Sequence, residues 1–435
     1  MEGGPAGEQA PSGGPAVHVP LVLLGALVGI PAAFLAAVFL AFVHDLEHWL
    51  WTDLPDSLGH ASPPWYLVLG LPVAGAAVVL VARTLFPGDG GHSPIEGLGG
   101  APTPPAHAVG VALAAIGTLG FGAVLGPEAP LIALGSAVGL LVTAFVKLGR
   151  RERAVVGSAG SFSAISALFG GPVVGGVMMV ESGASGLGAA LFPALLPGFV
   201  AAALGYVIFV GFGDWGGLGT PGLVEPGLPA YHGTHIYDLL VAVVVGLAAA
   251  VVITIVRVLG KRVIATAPRL GMPQLLLLGG LAVGGLAELA DLLGANSQDV
   301  LFSGQASVPA LVGQSSTKIV LVLLVAKALA YAISLGCGFR GGPVFPAIFL
   351  GVGLATLAVV WFDVSPTLAV AVGSAAGMAA MTKLLLTPML FAGLLVGREA
   401  IDAIPAAVLA ASVAWIAVGA AEQRLAAIAA ATRPS

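Results

Sequence analysis

The sequence predicts an all-helical, polytopic membrane protein built from two related halves. Three observations carry that prediction. Of 435 residues, 58% are hydrophobic and only 9% charged, against about 25% charged in a soluble domain. Apolar runs close to the ~20 residues that cross a bilayer occur at 20–43, 65–82, 192–210, 237–256, 274–290 and 317–335. The chain also matches itself at a fixed offset of 216 residues.

A chain this poor in polar groups cannot cover a water-facing surface, so the bilayer is its solvent. Shorter or Gly/Pro-interrupted apolar runs lie at 107–125, 130–146, 154–181, 343–361 and 388–421. Together the runs imply on the order of 10 to 18 membrane segments, many of them incomplete spans. The 64 glycines and 31 prolines are many for helical protein. Broken helices survive in lipid only where protein or a water-filled cavity covers them, a pattern of transporters and channels rather than of simple anchors.

Residues 1–18 are rich in Gly, Pro and Ala and contain no Lys or Arg. They read as a disordered tail, not as a signal-peptide n-region. Residues 19–425 read as one membrane domain and 426–435 as a short C-terminal tail. The single cysteine, Cys337, excludes an intramolecular disulfide and a multi-cysteine metal site. "HDLEHW" at 44–49 spaces two histidines as metal ligands could be, but no third ligand accompanies them, and the flanking tryptophans fit a helix end at the membrane interface. No nucleophile–base pair supports catalysis, and nothing calls for a cofactor or a nucleic acid.

Positive charge clusters in two loops, at Lys147, Arg150, Arg151 and Arg153, and at Arg257, Lys261, Arg262 and Arg269. The positive-inside rule places both on the cytoplasmic side of a cell membrane. The loops 48–65 and 211–238, which carry Trp and acids, fall on the other side.

The internal match runs without a gap from 112–183 onto 328–399, with 21 identities in 72 positions. "GPEAPLIALG" at 126–135 meets "GPVFPAIFLG" at 342–351, "VGSA" at 156–159 meets "VGSA" at 372–375, and Pro172 meets Pro388. Chance matching of Ala, Gly and Leu does not keep prolines and Gly-Pro pairs in register. The halves span about 20–210 and 237–421. Membrane repeats of this kind place their sites at the midplane, where interrupted helices of the two halves meet. The matching interrupted segments are 120–130 and 336–346.

Each segment is a Gly-rich stretch, a proline and an apolar run. Proline suits the first turn of a helix, so helices are expected to start near Pro130 and Pro346. A helix N-terminus presents unpaired N–H groups and about half a positive charge, which together hold an anion. Two such ends facing each other at the midplane bind a small anion weakly enough to release it, as conduction requires. Glu128, just before one of them, can fill the anion's place when ionised and leave it when protonated. Intramembrane acids carry function by default, and the repeat mate of Glu128 is Val344, so the fold itself does not demand an acid there.

These motifs resemble those of the CLC family of chloride channels and proton-coupled chloride antiporters. "GPEAP" at 126–130 resembles the family's G-[KR]-E-G-P motif, with Glu128 at the gating glutamate. "GCGFRGGPVFP" at 336–346 and "GSAGSFSAISALFGGPVVGGVMMVES" at 157–182 are similar to two further family segments. "GDGGHSPIEGL" at 88–98 is a weaker likeness of the G-S-G-I-P anion motif. The resemblance implies an inverted-repeat fold in a homodimer, each subunit with its own pore. It implies chloride or another small anion as cargo, with protons as a second cargo in antiporters. It places the anion among Gly91, His92, Ser93, Gly126, Pro127, Ala129, Gly342, Val344 and Phe345, and inner proton transfer at Glu181 and Ser182.

Departures accompany the likeness. Pro127 replaces the motif's Lys or Arg, Gly91 stands at the anion-binding serine with Ser93 nearby, and Ser182 stands at the inner proton acid. The family's late tyrosine aligns near Leu425. Arg340, at a family proline, adds a positive charge beside the path. The missing inner acid points to passive, channel-like conduction; proton-coupled antiport and a non-conducting membrane protein of the same fold are the alternatives.

Overall fold

The computed structural model describes residues 19–99, 101–187, 191–215 and 227–431. The tail expected at 1–18, and residues 216–226 of the loop at 211–238, lie outside them. The described residues are helical apart from loops and one isolated two-residue β-bridge. The helices of eleven residues or more are α1 (Val19–His48), α2 (Trp65–Leu85), α3 (Ala108–Leu119), α4 (Glu128–Val142), α5 (Arg150–Leu168), α6 (Pro172–Leu187), α7 (Leu191–Trp215), α8 (Ile236–Ile264), α9 (Met272–Leu292), α10 (Thr317–Gly336), α11 (Val344–Phe362), α12 (Pro366–Thr382), α13 (Leu386–Val396) and α14 (Ile404–Ala431). Among the described residues, eight helical stretches are long and apolar enough to cross a membrane, and four shorter apolar helices accompany them. The protein is a multi-pass membrane protein.

Lipid-facing and buried stripes are legible along single helices. On α1 the exposed large residues are Leu23, Leu27, Ile30, Phe34, Val38 and Phe42, while Val28, Ala32, Ala36 and Phe39 are buried. The three- and four-residue spacing is one face of an α-helix. On α8 the exposed stripe is Leu240, Val244, Leu247, Val251 and Ile255.

The two halves are related helix by helix, α1 with α8 through α7 with α14. At the 216-residue offset, α1 would end at 264, where α8 ends, and α4 would start at 344, where α11 starts. Mates α2 and α9 pack on each other, with Gly280 of α9 against the backbone of Pro72 in α2. The relation is inverted. The start of α1 lies beside Val146, Leu148 and Glu152 of the first basic loop, whereas Arg257, Lys261 and Arg262 sit on the last turns of α8. With both basic clusters cytoplasmic, α1 runs outward and its mate runs inward.

Close helix crossings use glycine pairs, with the repeat mates Gly135 and Gly351 on one side of each. Gly135 on α4 meets Gly160 on α5, and Gly351 on α11 meets Gly373 on α12. A side chain at either contact would run into opposing backbone, so only glycine allows this approach.

Two details differ from the sequence reading, the placement of Trp51 and the end of the last helix. Trp51, expected at the membrane interface, is 2% exposed. A π-helical turn at Trp49–Asp53 points it inward, where its indole N–H donates to the Gly120 carbonyl at 3.0 Å. The run 388–421, read as short or Gly/Pro-interrupted, is broken at Gly397, whose φ of +74° ends α13 before a 3-10 turn leads into α14. That last helix continues to Ala431, beyond the boundary expected at 425.

Candidate anion site at paired helix starts

α4 and α11 begin head to head. Gly126 and Gly342, residues at the repeat offset, form the β-bridge: Gly126 N–H donates to the Gly342 carbonyl at 2.7 Å, and Gly342 N–H returns a bond at 2.5 Å. A second reciprocal pair flanks it. Val124 N–H donates to Ser334 Oγ and Arg340 N–H donates to Thr118 Oγ1, each at 3.1 Å. Thr118 and Ser334 are repeat mates, as are Val124 and Arg340. The pseudo-two-fold axis therefore passes between Gly126 and Gly342. Each half completes the buried loop of the other, as buried amides require.

The helices start at Glu128 and Val344, capped by Pro127 and Pro343. This is two residues earlier than the prolines suggested. The first four helical N–H groups lack intrahelical partners in any case, so Pro130 and Pro346 are tolerated at the third position.

Glu128 is fully buried. Its carboxylate crosses the axis to the other helix: Oε1 accepts N–H bonds from Val344 at 3.1 Å and Phe345 at 2.9 Å. The side chain thus occupies the positive end of α11 as an anion would. Oε2 is buried with no hydrogen-bond partner among the described residues. It lies against Gly126 and Gly342, where a Cβ at either position would collide with it. With valine at the mate position, only one of the two helix starts carries such a plug.

The other expected site residues divide into three groups. Ala129, Val344 and Phe345 are buried around the helix starts. Phe345 stacks on Phe169 at 5.5 Å, and Phe391 meets Phe169 edge-on at 5.4 Å, giving the site an apolar wall. Gly91, His92 and Ser93 lie in the loop between α2 and α3, and the backbone partners of the Glu128 carboxylate are Val344 and Phe345 instead. That loop is near the cytoplasmic side: a Cβ on Gly260, beside Lys261, would lie 3.2 Å from Ile95. His92 Nε2 is buried without a hydrogen-bond partner among the described residues. Burial holds the imidazole below its ordinary range; Glu96 opposes that shift and Arg340 adds to it. Arg340 is 7% exposed and neither free nor snorkelling: it pairs with Asp89.

Glu181 and Ser182 form the third group. Glu181 Oε1 accepts from the N–H groups of Leu385 (3.0 Å) and Leu386 (2.8 Å), and Oε2 from the N–H (2.7 Å) and hydroxyl (2.5 Å) of Thr387. Glu181 thus caps α13, the mate of its own helix α6, just as Glu128 caps α11, the mate of α4. The Ser182 hydroxyl bonds back to the Met178 carbonyl at 2.6 Å within α6.

Pro127 lines a cavity of about 360 Å³ that also touches His44, Glu47, Asn296, Ser303 and Ser307. The cavity lies toward the outward end of α1, so it is an outer vestibule leading to the helix starts. Of the two histidines in "HDLEHW", His44 faces this cavity and His48 pairs with Asp53 at 3.3 Å.

Sequence reasoning missed two residues on α10. Lys327 is fully buried behind the vestibule wall. Its Nζ donates to the carbonyls of Asp299 (3.1 Å) and Leu301 (2.6 Å) and lies 4.7 Å over the Phe349 ring. Tyr331, one turn on, donates its hydroxyl to the Pro343 carbonyl at 2.5 Å and lies within electrostatic reach of Glu128. The signal was available: Lys327, Tyr331 and Ser334 sit at i, i+4 and i+7 in an otherwise apolar span.

Comparison with known proteins agrees with this fold. Residues 95–419 match the family model described as voltage gated chloride channel. The chain is 31% identical over 350 residues to the "Putative ion-transport protein YfeO" of Escherichia coli (strain SMS-3-5 / SECEC), covering 78% of each chain. Its Escherichia fergusonii counterpart matches to the same extent. Among solved structures, a slow cyanobacterial Cl⁻/H⁺ antiporter superposes with a TM-score of 0.76 at 17% identity, over 93% of this chain and 95% of that one. A CLC-type fluoride/proton antiporter superposes with a TM-score of 0.68 at 20% identity, over 91% and 94%.

Proposed function

The chain belongs to the voltage-gated chloride channel family, whose work is anion transport, and from that premise we propose that it conducts chloride passively through a midplane site gated by Glu128. The observation that carries this reading is the Glu128 carboxylate seated on the Val344 and Phe345 amides. While ionised it fills the anion's place. Once protonated it loses its hold on the positive helix end and turns toward the outer vestibule. A chloride ion then takes the vacated amides of α11, with Gly126, Pro127, Ala129 and Gly342 forming the rest of the cradle. The loop Gly91–Ser93 forms the inner approach. Backbone N–H groups bind without a full charge, which keeps the anion exchangeable.

Passive conduction, rather than exchange for protons, is supported by Ser182 and Glu181. A serine bonded within its own helix cannot carry protons inward as an acid would. The four hydrogen bonds at Glu181 hold its side chain on the start of α13. Proton-coupled antiport is the second reading, favoured by the unpartnered Oε2 of Glu128, an atom placed to receive a proton. As the family resemblance implies, we take the working unit to be a homodimer, which light scattering in detergent would measure.

Purified protein in liposomes, with chloride efflux and internal pH recorded together, separates the readings. Passive conduction gives chloride efflux with no uphill proton movement under a chloride gradient. Stoichiometric proton pumping would establish antiport instead. No flux of any small anion would mean that the fold is kept without transport.

A further inference from the structure

A second carboxylate near the cytoplasmic mouth is held much as Glu128 is held at the midplane. Arg83, at the end of α2, donates from Nε to Asp89 Oδ1 at 2.8 Å and from Nη2 to Oδ2 at 2.9 Å. Arg340 donates from Nη2 to the same Oδ2, and from Nε to the Asp89 carbonyl at 2.9 Å. Arg83 Nη1 also holds the Gly338 carbonyl at 3.0 Å. The two guanidinium side chains are only 10% and 9% exposed, whereas the aspartate between them is 57% exposed.

That inequality is informative. Two converging guanidinium groups withdrawn from water need an anion to offset their mutual repulsion and lost hydration. Glu96 acts on Arg340 as well, but the anion bonded to both guanidinium groups is an exposed, tethered side chain on a left-handed turn: Asp89 has φ +50° between Gly88 at +89° and Gly90 at +69°. Asp89 is thus the solvent-facing member of the cluster, while the side chains of Arg83 and Arg340 are enclosed by the fold. The stems of both arginines flank Gly90, so their positions survive departure of the carboxylate. The pair adjoins Gly91–His92–Ser93, on the inner approach to the helix starts.

We propose that Arg83 and Arg340 form a second, cytoplasmic-side binding site for a small monovalent anion, and that Asp89 is a tethered competitor occupying it. The site rests on the transport reading only for its place on the path; anion binding at the arginine pair does not require conduction. Asp89 and the incoming anion exclude each other, so the inner site fills only as anion concentration rises. The protein would then carry two tethered-carboxylate plugs in series, Glu128 at the midplane and Asp89 at the inner mouth.

Two measurements test this. Tracer chloride exchange in vesicles, with equal chloride on both sides, is run for the wild type, Asp89→Asn and Asp89→Glu. Removing the competing charge should lower the half-saturating chloride concentration by roughly three- to tenfold, while Asp89→Glu stays within about twofold of the wild type. Hydrogen–deuterium exchange of the wild type, free of any folding defect in a variant, is compared in bromide and in gluconate at equal ionic strength. Bromide should speed exchange across residues 86–93 as Asp89 is released, and gluconate should not. An unchanged half-saturation in folded Asp89→Asn, or bromide and gluconate giving the same exchange at 86–93, would overturn the proposal. Bromide-dependent exchange in a protein that shows no flux would leave the inner site standing and reject only conduction.

Discussion

Replacing Glu128 with Gln removes one charge and almost no volume at the centre of the site. The carboxylate oxygen accepts two backbone N–H bonds, at 3.1 and 2.9 Å. A hydrogen bond to an ionised group is worth about 1.5–3 kcal/mol, and a neutral one about 0.5–1.5. Two bonds therefore lose about 2 kcal/mol of competing strength, and the positive end of α11 adds about 0.3–1 kcal/mol for a charge. At about 1.4 kcal/mol per tenfold change, the half-saturating chloride concentration should fall by about 30-fold or more. The assay is chloride efflux from liposomes across a range of chloride concentrations and pH. Wild-type flux should climb as pH falls, because protonation does transiently what the substitution does permanently. Flux through Glu128→Gln should be high and flat with pH. A variant that folds, yet keeps the wild-type half-saturation or the wild-type pH dependence, would refute the assignment of Glu128 as a tethered anion.

Four further predictions follow from the same geometry. Gly342→Ala places a methyl group where Glu128 Oε2 now lies, so a folded variant should evict the carboxylate and lose pH dependence in the same efflux assay. Thr118→Val and Ser334→Ala each orphan one buried amide of the symmetric pair; each should cost about 1–3 kcal/mol of stability in denaturant titration. Lys327→Met leaves two vestibule carbonyls without their donor and removes a positive charge behind the outer approach; chloride flux should fall, and Lys327→Arg should restore part of it. His92→Gln should leave flux unchanged at neutral and alkaline pH, because burial holds that imidazole below its ordinary range.

The 216-residue offset was enough to pair Gly126 with Gly342, since identical Gly-Pro steps at matched positions leave little choice about which segments meet. The sequence could not say that Glu128 would cap the opposite helix rather than its own. Which way a side chain crosses a two-fold axis depends on the spacing of two backbones that are far apart in the chain. The same limit hid the role of Glu181, whose partners at 385–387 belong to the other half. Trp51 was misplaced because tryptophans near helix ends usually mark the interface; one π-helical turn, which composition does not encode, rotates it inward. Lys327 and Tyr331 escaped notice because α10 is otherwise so apolar that it reads as a plain span. Asp89 was passed over for a different reason: its neighbours Gly91 and Ser93 carried the family likeness, while its two arginine partners lie 6 and 251 residues away.

Bromide anomalous diffraction from crystals of Glu128→Gln tests the central claim most directly, that the paired helix starts are an anion site which Glu128 fills. The account predicts a bromide peak within hydrogen-bond reach of the Val344 and Phe345 N–H groups in the variant, and no such peak in the wild type at alkaline pH. A variant without bromide at those amides, or a wild type that binds it there with the Glu128 carboxylate still in place, would contradict it.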